Sequence, residues 1–244
     1  MPSFSPQTVR RIRLAGLCLS LAVSACAVQS QGEIWNLPLP EGAEYRPLAS
    51  LTEWRQPSAF KTLEAASTGV RNTASSDTVA DRTLGESAGL VPGRGTMTLR
   101  VALRCRRDRA IWIGVGRDDI DLNGALDGAE CRLMAGLDRG RWGLRQSALG
   151  ETTWAQAIIP PEGTLCTMEI VVNAAGGAIE SVYVTDSAAR RSPPAFADFD
   201  PGWSDMSAAE ATAWTLFRVE ARGEGAELLG FSLESSGPAM LILK

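Results

Sequence analysis

The chain has 244 residues, a formal net charge of −4, 45% hydrophobic and 21% charged side chains, and no histidine. Length and composition suit one large globular domain or two small ones. The absent histidine excludes Ser-His-Asp and Cys-His catalysis and any His-ligated zinc or iron site. The acidic balance argues against a nucleic-acid partner, which needs a basic surface.

At the N-terminus, Arg10, Arg11 and Arg13 precede twelve apolar residues, 14–25, with small residues at Ser24, Ala25 and Ala27. Twelve residues are too few to span a bilayer as a helix, so residues 1–27 read as a secretory signal peptide. Ala25-Cys26-Ala27 fits the small-x-small pattern of ordinary signal peptidase. Val23-Ser24-Ala25-Cys26 also resembles the lipobox of bacterial lipoproteins, which would make Cys26 a lipidated first residue. Both readings export the chain to the periplasm, cell surface or medium, with an outer-membrane lipoprotein as the second form. Cleavage removes three arginines and leaves 21 basic against 28 acidic residues, a mature charge of −7. The arginine bias (the only lysines are Lys61 and Lys244) runs along the whole chain and reads as genomic rather than functional.

Residues 28–95 read as extended segments followed by a long surface loop. Pro38, Pro40, Pro47 and Pro57 punctuate the first part, and residues 63–95 are rich in Ala, Ser, Thr and Gly with few large apolar side chains. The sandwich core is expected over residues 96–244. Met97, Leu99, Val101, Leu103 and Cys105 alternate with Thr98, Arg100 and Arg104, and a polar turn at 106–109 leads to a second strand over 110–116. These two strands are expected to form a hairpin. Cys166, Met168, Ile170 and Val172 alternate likewise, and 173–177 turn the chain into a second hairpin over 179–184. Phe217, Val219 and Ala221 form another strand. Gly223-Glu224-Gly225 turns it into 227–233, where Leu229, Phe231 and Leu233 are expected on one face, and a closing strand follows at 240–243. Residues 207–214, with Ser207 as N-cap and Glu210 at the third helical position, are the best short helix.

Short alternating strands and polar turns describe a mainly β chain, an antiparallel β-sandwich or jelly roll with one or two short helices. A transmembrane barrel is rejected for lack of paired aromatic girdles. Leu99, Val101, Leu103, Ile170, Val172, Phe217, Val219 and Phe231 are the expected core. In pattern, the sandwich resembles concanavalin-like and laminin-G-like folds.

Between the second strand and Arg132 runs Asp119-Ile120-Asp121-Leu122-Asn123-Gly124-Ala125-Leu126-Asp127-Gly128-Ala129-Glu130. It resembles the EF-hand calcium loop, with Asp at positions 1 and 3, Asn at 5, Gly at 6, an aliphatic at 8, Asp at 9 and Glu at 12. Calcium takes six to eight oxygens, and a coiled loop aims alternate side chains at one centre. The resemblance implies Ca²⁺ held by Asp119, Asp121, Asn123, the Ala125 carbonyl, Asp127 and Glu130. The flanks depart from the family. The entering segment 111–115 reads as a strand, and the exit 129–133 is expected to make a helical turn. A single loop fits a stabilising ion better than a paired sensor.

Other signals are weaker. Residues 198–205 form a second acidic, aromatic loop, read as a solvated turn. Of the mature cysteines, Cys105 and Cys131 stand at opposite ends of the expected hairpin, a poor geometry unless the chain doubles back, and a pair with Cys166 or no disulfide stands equally open. Strand tryptophans read as core. The leading function is an exported, calcium-stabilised module that binds carbohydrate or another cell-envelope component. The rivals are a sandwich glycosidase using two carboxylates and a structural subunit of a surface assembly.

Overall fold

A computed structural model describes residues 34–84, 96–117, 123, 125–126, 130–145, 152–154, 161–173, 178–185 and 215–236. The expected signal peptide, the 198–205 loop, the 207–214 helix and the 240–243 strand lie outside them. Within the described residues the only helical turn is a 3-10 turn at Leu48–Ser50; the rest of the regular structure is strand.

The described residues form fifteen strands in two antiparallel sheets. In chain order they are β1 (Ile34–Asn36), β2 (Arg46–Pro47), β3 (Trp54–Arg55), β4 (Leu63–Ala66), β5 (Gly69–Asn72), β6 (Thr78–Thr83), β7 (Thr96–Arg104) and β8 (Ala110–Gly116). They continue as β9 (Cys131–Asp138), β10 (Arg141–Arg145), β11 (Thr153–Trp154), β12 (Leu165–Asn173), β13 (Ala178–Thr185), β14 (Leu216–Arg222) and β15 (Glu227–Ser236). The first sheet runs β13-β12-β7-β15-β5-β4-β2, with β1 also paired to β15. The second runs β11-β10-β9-β8-β14-β6-β3. This is the antiparallel sandwich expected from the alternation.

The core lies between the inward faces of the two sheets. All eight expected core residues are buried there, none more than 4% exposed. Phe217 packs on Phe231 with ring centroids 4.6 Å apart, joining one sheet to the other. The buried Trp54 meets the Phe217 ring edge-on. Trp142 is likewise buried.

Three expectations are corrected. The first concerns residues 63–95, where 63–83 supply β4, β5 and β6, with Leu63, Ala65, Ala66, Val70 and Ala80 in the core. Small residues sit there because short strands packed on larger neighbours need little volume of their own. The division at residue 96 therefore does not hold, since strands from both sides of it share both sheets. The second concerns β7 and β8, which make no hairpin. β7 pairs with β12 and β15 in one sheet, and β8 pairs with β9 and β14 in the other. The polar 106–109 turn carries the chain across the sandwich, and alternation alone cannot tell that crossing from a hairpin. The third is local to β15. A bulge between Leu228 and Gly230 puts Leu228, not Leu229, in the core, then restores phase for Phe231 and Leu233.

Some turn chemistry is visible only in three dimensions. β9 and β10 are joined by Arg139 and Gly140, with φ of 52° and 79°, the two positive values a tight hairpin turn requires. Gly140 adopts that conformation at no steric cost.

Candidate functional site

The outer faces of the two sheets differ. On the β8-β9 sheet, alternation turns Trp112, Met134, Cys131 and Leu216 outward, and Leu126 of the calcium-like loop joins them in a second, smaller apolar cluster. Trp154 packs edge-on against Trp112 at 6.1 Å, and the Arg145 guanidinium lies 4.0 Å from the Trp112 ring centroid. Much of this face is therefore covered.

The calcium-like loop links two adjacent strands, so its ends are fixed by the β8-β9 pairing. Arg117 N–H donates to the Glu130 carbonyl at 3.2 Å. A Cβ on Gly116 would lie 2.1 Å from that same oxygen, so glycine permits the close approach at the loop's mouth. The exit is strand β9, not the expected helical turn, because Cys131 onward pairs with β8.

Of the six expected ligands, Asn123, Ala125 and Glu130 are described; Asp119, Asp121 and Asp127 lie outside the described residues. Asn123 Oδ1 accepts the Ala125 N–H at 2.8 Å, a side-chain turn at position 5. Ala125 and Leu126 are buried, and Glu130 is fully buried. No group of three or more acidic or Cys side chains converges as a metal cluster among the described residues. The donor set fits a hard cation nonetheless. It combines four carboxylates, an amide and a carbonyl, with one carboxylate withdrawn from water at the position that closes the loop.

Sequence reasoning missed the pair that docks this loop. Asp81 on β6 receives Arg218 Nε at 2.7 Å and Nη2 at 3.0 Å, and its second oxygen also accepts the Leu126 N–H at 3.2 Å. Asp81 is fully buried and Arg218 nearly so. The two face each other because Asp81 and Arg218 are register partners across β6 and β14. The missing signal was β6 itself, which lay within a segment read as loop.

The other sheet leaves an open site. On its outer face, Gly230, Ala102 and Thr167 are in register across β15, β7 and β12, forming a floor of small side chains. The next row holds Ser232, Arg100 and Glu169, with Asn36 of β1 beside Ser232. Arg100 donates to Glu169 at 3.1 Å and to Glu234 at 2.6 Å. On the far side of the floor Arg104 pairs with Glu227 at 2.5 Å and reaches the Gly163 carbonyl at 3.1 Å. The result is a groove with a cavity volume of about 440 Å³, lined by Arg100, Ala102, Thr167, Glu169, Gly230 and Ser232 among others. That volume falls in the usual range for small-molecule sites. A smaller cleft of about 90 Å³ on the opposite sheet holds Glu220, Asp138, Asp77 and Arg145. Burial pushes the Glu220 carboxyl up, opposed by the Arg218 and Arg145 guanidiniums.

Among the described residues, Cys105, Cys131 and Cys166 form no disulfide. Cys131 faces outward on one sheet beside Gly114, while Cys105 and Cys166 lie in the core side of the other, so no pair with Cys131 can close. Burial pushes the Cys131 thiol up to about 12 and the Cys105 thiol up to about 11.

Fold and groove together define a two-sheet antiparallel β-sandwich with one covered outer face and one polar, open one. No family model and no curated protein matches the sequence. Among solved structures the globular domain of T. cruzi calreticulin is similar in fold, with a TM-score of 0.53 and 11% identity over 79% of this chain and 88% of that one. Lectin II from Ulex europaeus (TM-score 0.43, 10% identity, 83% of this chain, 98% of that one) also aligns. So does the metal-free carbohydrate recognition domain of Emp46p (TM-score 0.44, 10% identity, 81% and 98%).

Proposed function

We propose that this chain is an exported carbohydrate-binding module whose sandwich is steadied by one calcium ion. The observation that carries the reading is the groove of about 440 Å³ across β15, β7 and β12. Its floor of Gly230, Ala102 and Thr167 leaves room above the sheet, and its rims present hydrogen-bonding groups of both kinds. Arg100 donates, Glu169 accepts, and Asn36, Ser232 and Thr167 do both. A polyhydroxylated ring needs that mixture, since each hydroxyl is donor and acceptor at once. The fold shared with the calreticulin globular domain supplies a sandwich of the same architecture, and the groove supplies the chemistry.

Calcium would be held by Asp119, Asp121, Asn123, the Ala125 carbonyl, Asp127 and Glu130. When bound it would neutralise a run of carboxylates that otherwise repel one another, and so tie the end of β8 to the start of β9. Because Leu126 and Asp81 already anchor the loop to the sheet, the ion's effect is stability rather than a conformational switch. Export follows from residues 1–27, with Cys26 the point of lipid attachment in the lipoprotein form.

The test is a glycan array probed with the mature protein in calcium and in EGTA, alongside Ala102→Trp, which fills the groove floor. Binding by wild type that Ala102→Trp abolishes, with the fold intact by circular dichroism, is expected. Binding that survives the tryptophan removes the groove from the reading.

A further inference from the structure

Resting on the carbohydrate reading, we infer that the groove selects uncharged, hydroxyl-rich saccharides and discriminates against acidic ones. The ion pairs argue it. On the outer face of β4, β5, β7, β12 and β15, Arg71, Arg100 and Arg104 meet Glu64, Glu169, Glu227 and Glu234, three cations against four anions. Arg100, in the middle of the groove wall, is held by two glutamates from the strands on either side of it. Arg104 is held by Glu227 and by a backbone carbonyl.

A carboxylated or sulfated ligand would need an arginine to itself. Taking Arg100 would strand Glu169 and Glu234 next to the incoming anion, and like charges set together are disfavoured. A neutral hydroxyl makes no such demand. It accepts from an outward N–H of the guanidinium and donates to a carboxylate oxygen while the pairs stay closed. The pairing also fixes the arginine side chains before binding, which lowers the ordering cost of recognition. The floor crosses the strands at right angles, from β12 over β7 to β15 and out beside β1, a distance of about 14 Å at the usual strand spacing. The occupant is therefore a short saccharide lying across the strands.

The test measures binding of the full mature chain to matched neutral and uronic-acid or sulfated oligosaccharides at low and high salt. Glu169→Gln/Glu234→Gln, two solvent-facing changes checked for fold by thermal melt, is measured in parallel. Neutral ligands are expected to bind with little salt dependence, and their acidic counterparts about tenfold or more weaker. In the double variant Arg100 is released, so acidic ligands should gain affinity and that gain should fade with salt. Acidic ligands binding as well as neutral ones to wild type would overturn the selection rule and leave the carbohydrate reading standing. No binding of either class, to wild type or variant, would overturn both.

Discussion

Asp81 and Arg218 meet as a two-pronged pair, 2.7 and 3.0 Å long, beneath a loop whose Leu126 N–H they hold at 3.2 Å through the Asp81 carboxylate. One carboxylate thus joins β6, β14 and the calcium-like loop. Removing Arg218 leaves Asp81 buried without its cation, and removing Asp81 leaves Arg218 only Glu220 at 3.6 Å; breaking a buried pair typically costs about 3 to 5 kcal/mol. Arg218→Met and Asp81→Ala should each destabilise the protein by about that amount in urea denaturation, and the double variant should lose less than the two singles together. Additive losses would mean that the two residues do not act as a pair.

Calcium is expected to raise stability. At about a hundred times the dissociation constant the gain is roughly 2.7 kcal/mol, provided the unfolded chain does not bind the ion. Extracellular modules bind at about 10⁻⁴ to 10⁻³ M, so millimolar calcium should fill the site, and magnesium should replace it poorly. Glu130→Gln and Asp119→Ala should each lose most of the gain. Thermal melts with EGTA and with calcium decide it; equal melting temperatures for wild type would reduce the loop to an acidic turn.

Phe217 bridges the two sheets through Phe231 and is fully buried. Phe217→Ala should cost about 3 to 5 kcal/mol, and Leu103→Ala about 2 to 5 kcal/mol. A loss below about 0.5 kcal/mol at both would place them outside any packed core.

Glu220 has a raised carboxyl, chiefly through burial. A folded-state value above the unfolded one means that the folded protein holds this proton more tightly. The resulting stability is fully present below the ordinary glutamate range and is lost as pH rises through the raised value. Relative to wild type, Glu220→Gln should therefore gain in stability as pH is taken from about 4 to 7, the range above an ordinary glutamate value. Parallel pH profiles for the two proteins would count against it.

With thiols pushed up to about 12 and about 11, Cys131 and Cys105 carry almost no thiolate at neutral pH. Native protein should resist alkylation at both until it unfolds, and peptide mapping after timed iodoacetamide treatment reads this directly. The same mass spectra report the mature N-terminus. Cleavage near residue 27, or a diacylglyceryl-modified Cys26, is expected; an intact Met1 on exported protein would end the signal-peptide reading.

The sequence by itself determined what repeats locally. Alternation marked β7, β12 and β14 and all eight named core residues, because a strand with one buried face must place apolar side chains at every second position. The run of oxygen-bearing side chains over 119–130 is a feature of the sequence alone, since its members stand within one short stretch. Tertiary structure alone decided which strands are neighbours. β7 and β8 read as a hairpin yet lie in different sheets, because a polar turn looks the same whether the chain folds back or crosses the core. It also decided that Asp81 pairs with Arg218 and that Arg100 sits between Glu169 and Glu234. Those partners are 137, 69 and 134 residues apart in the chain. Only sheet register brings them within hydrogen-bonding distance, and register between distant strands is set by how both sheets pack on their shared core.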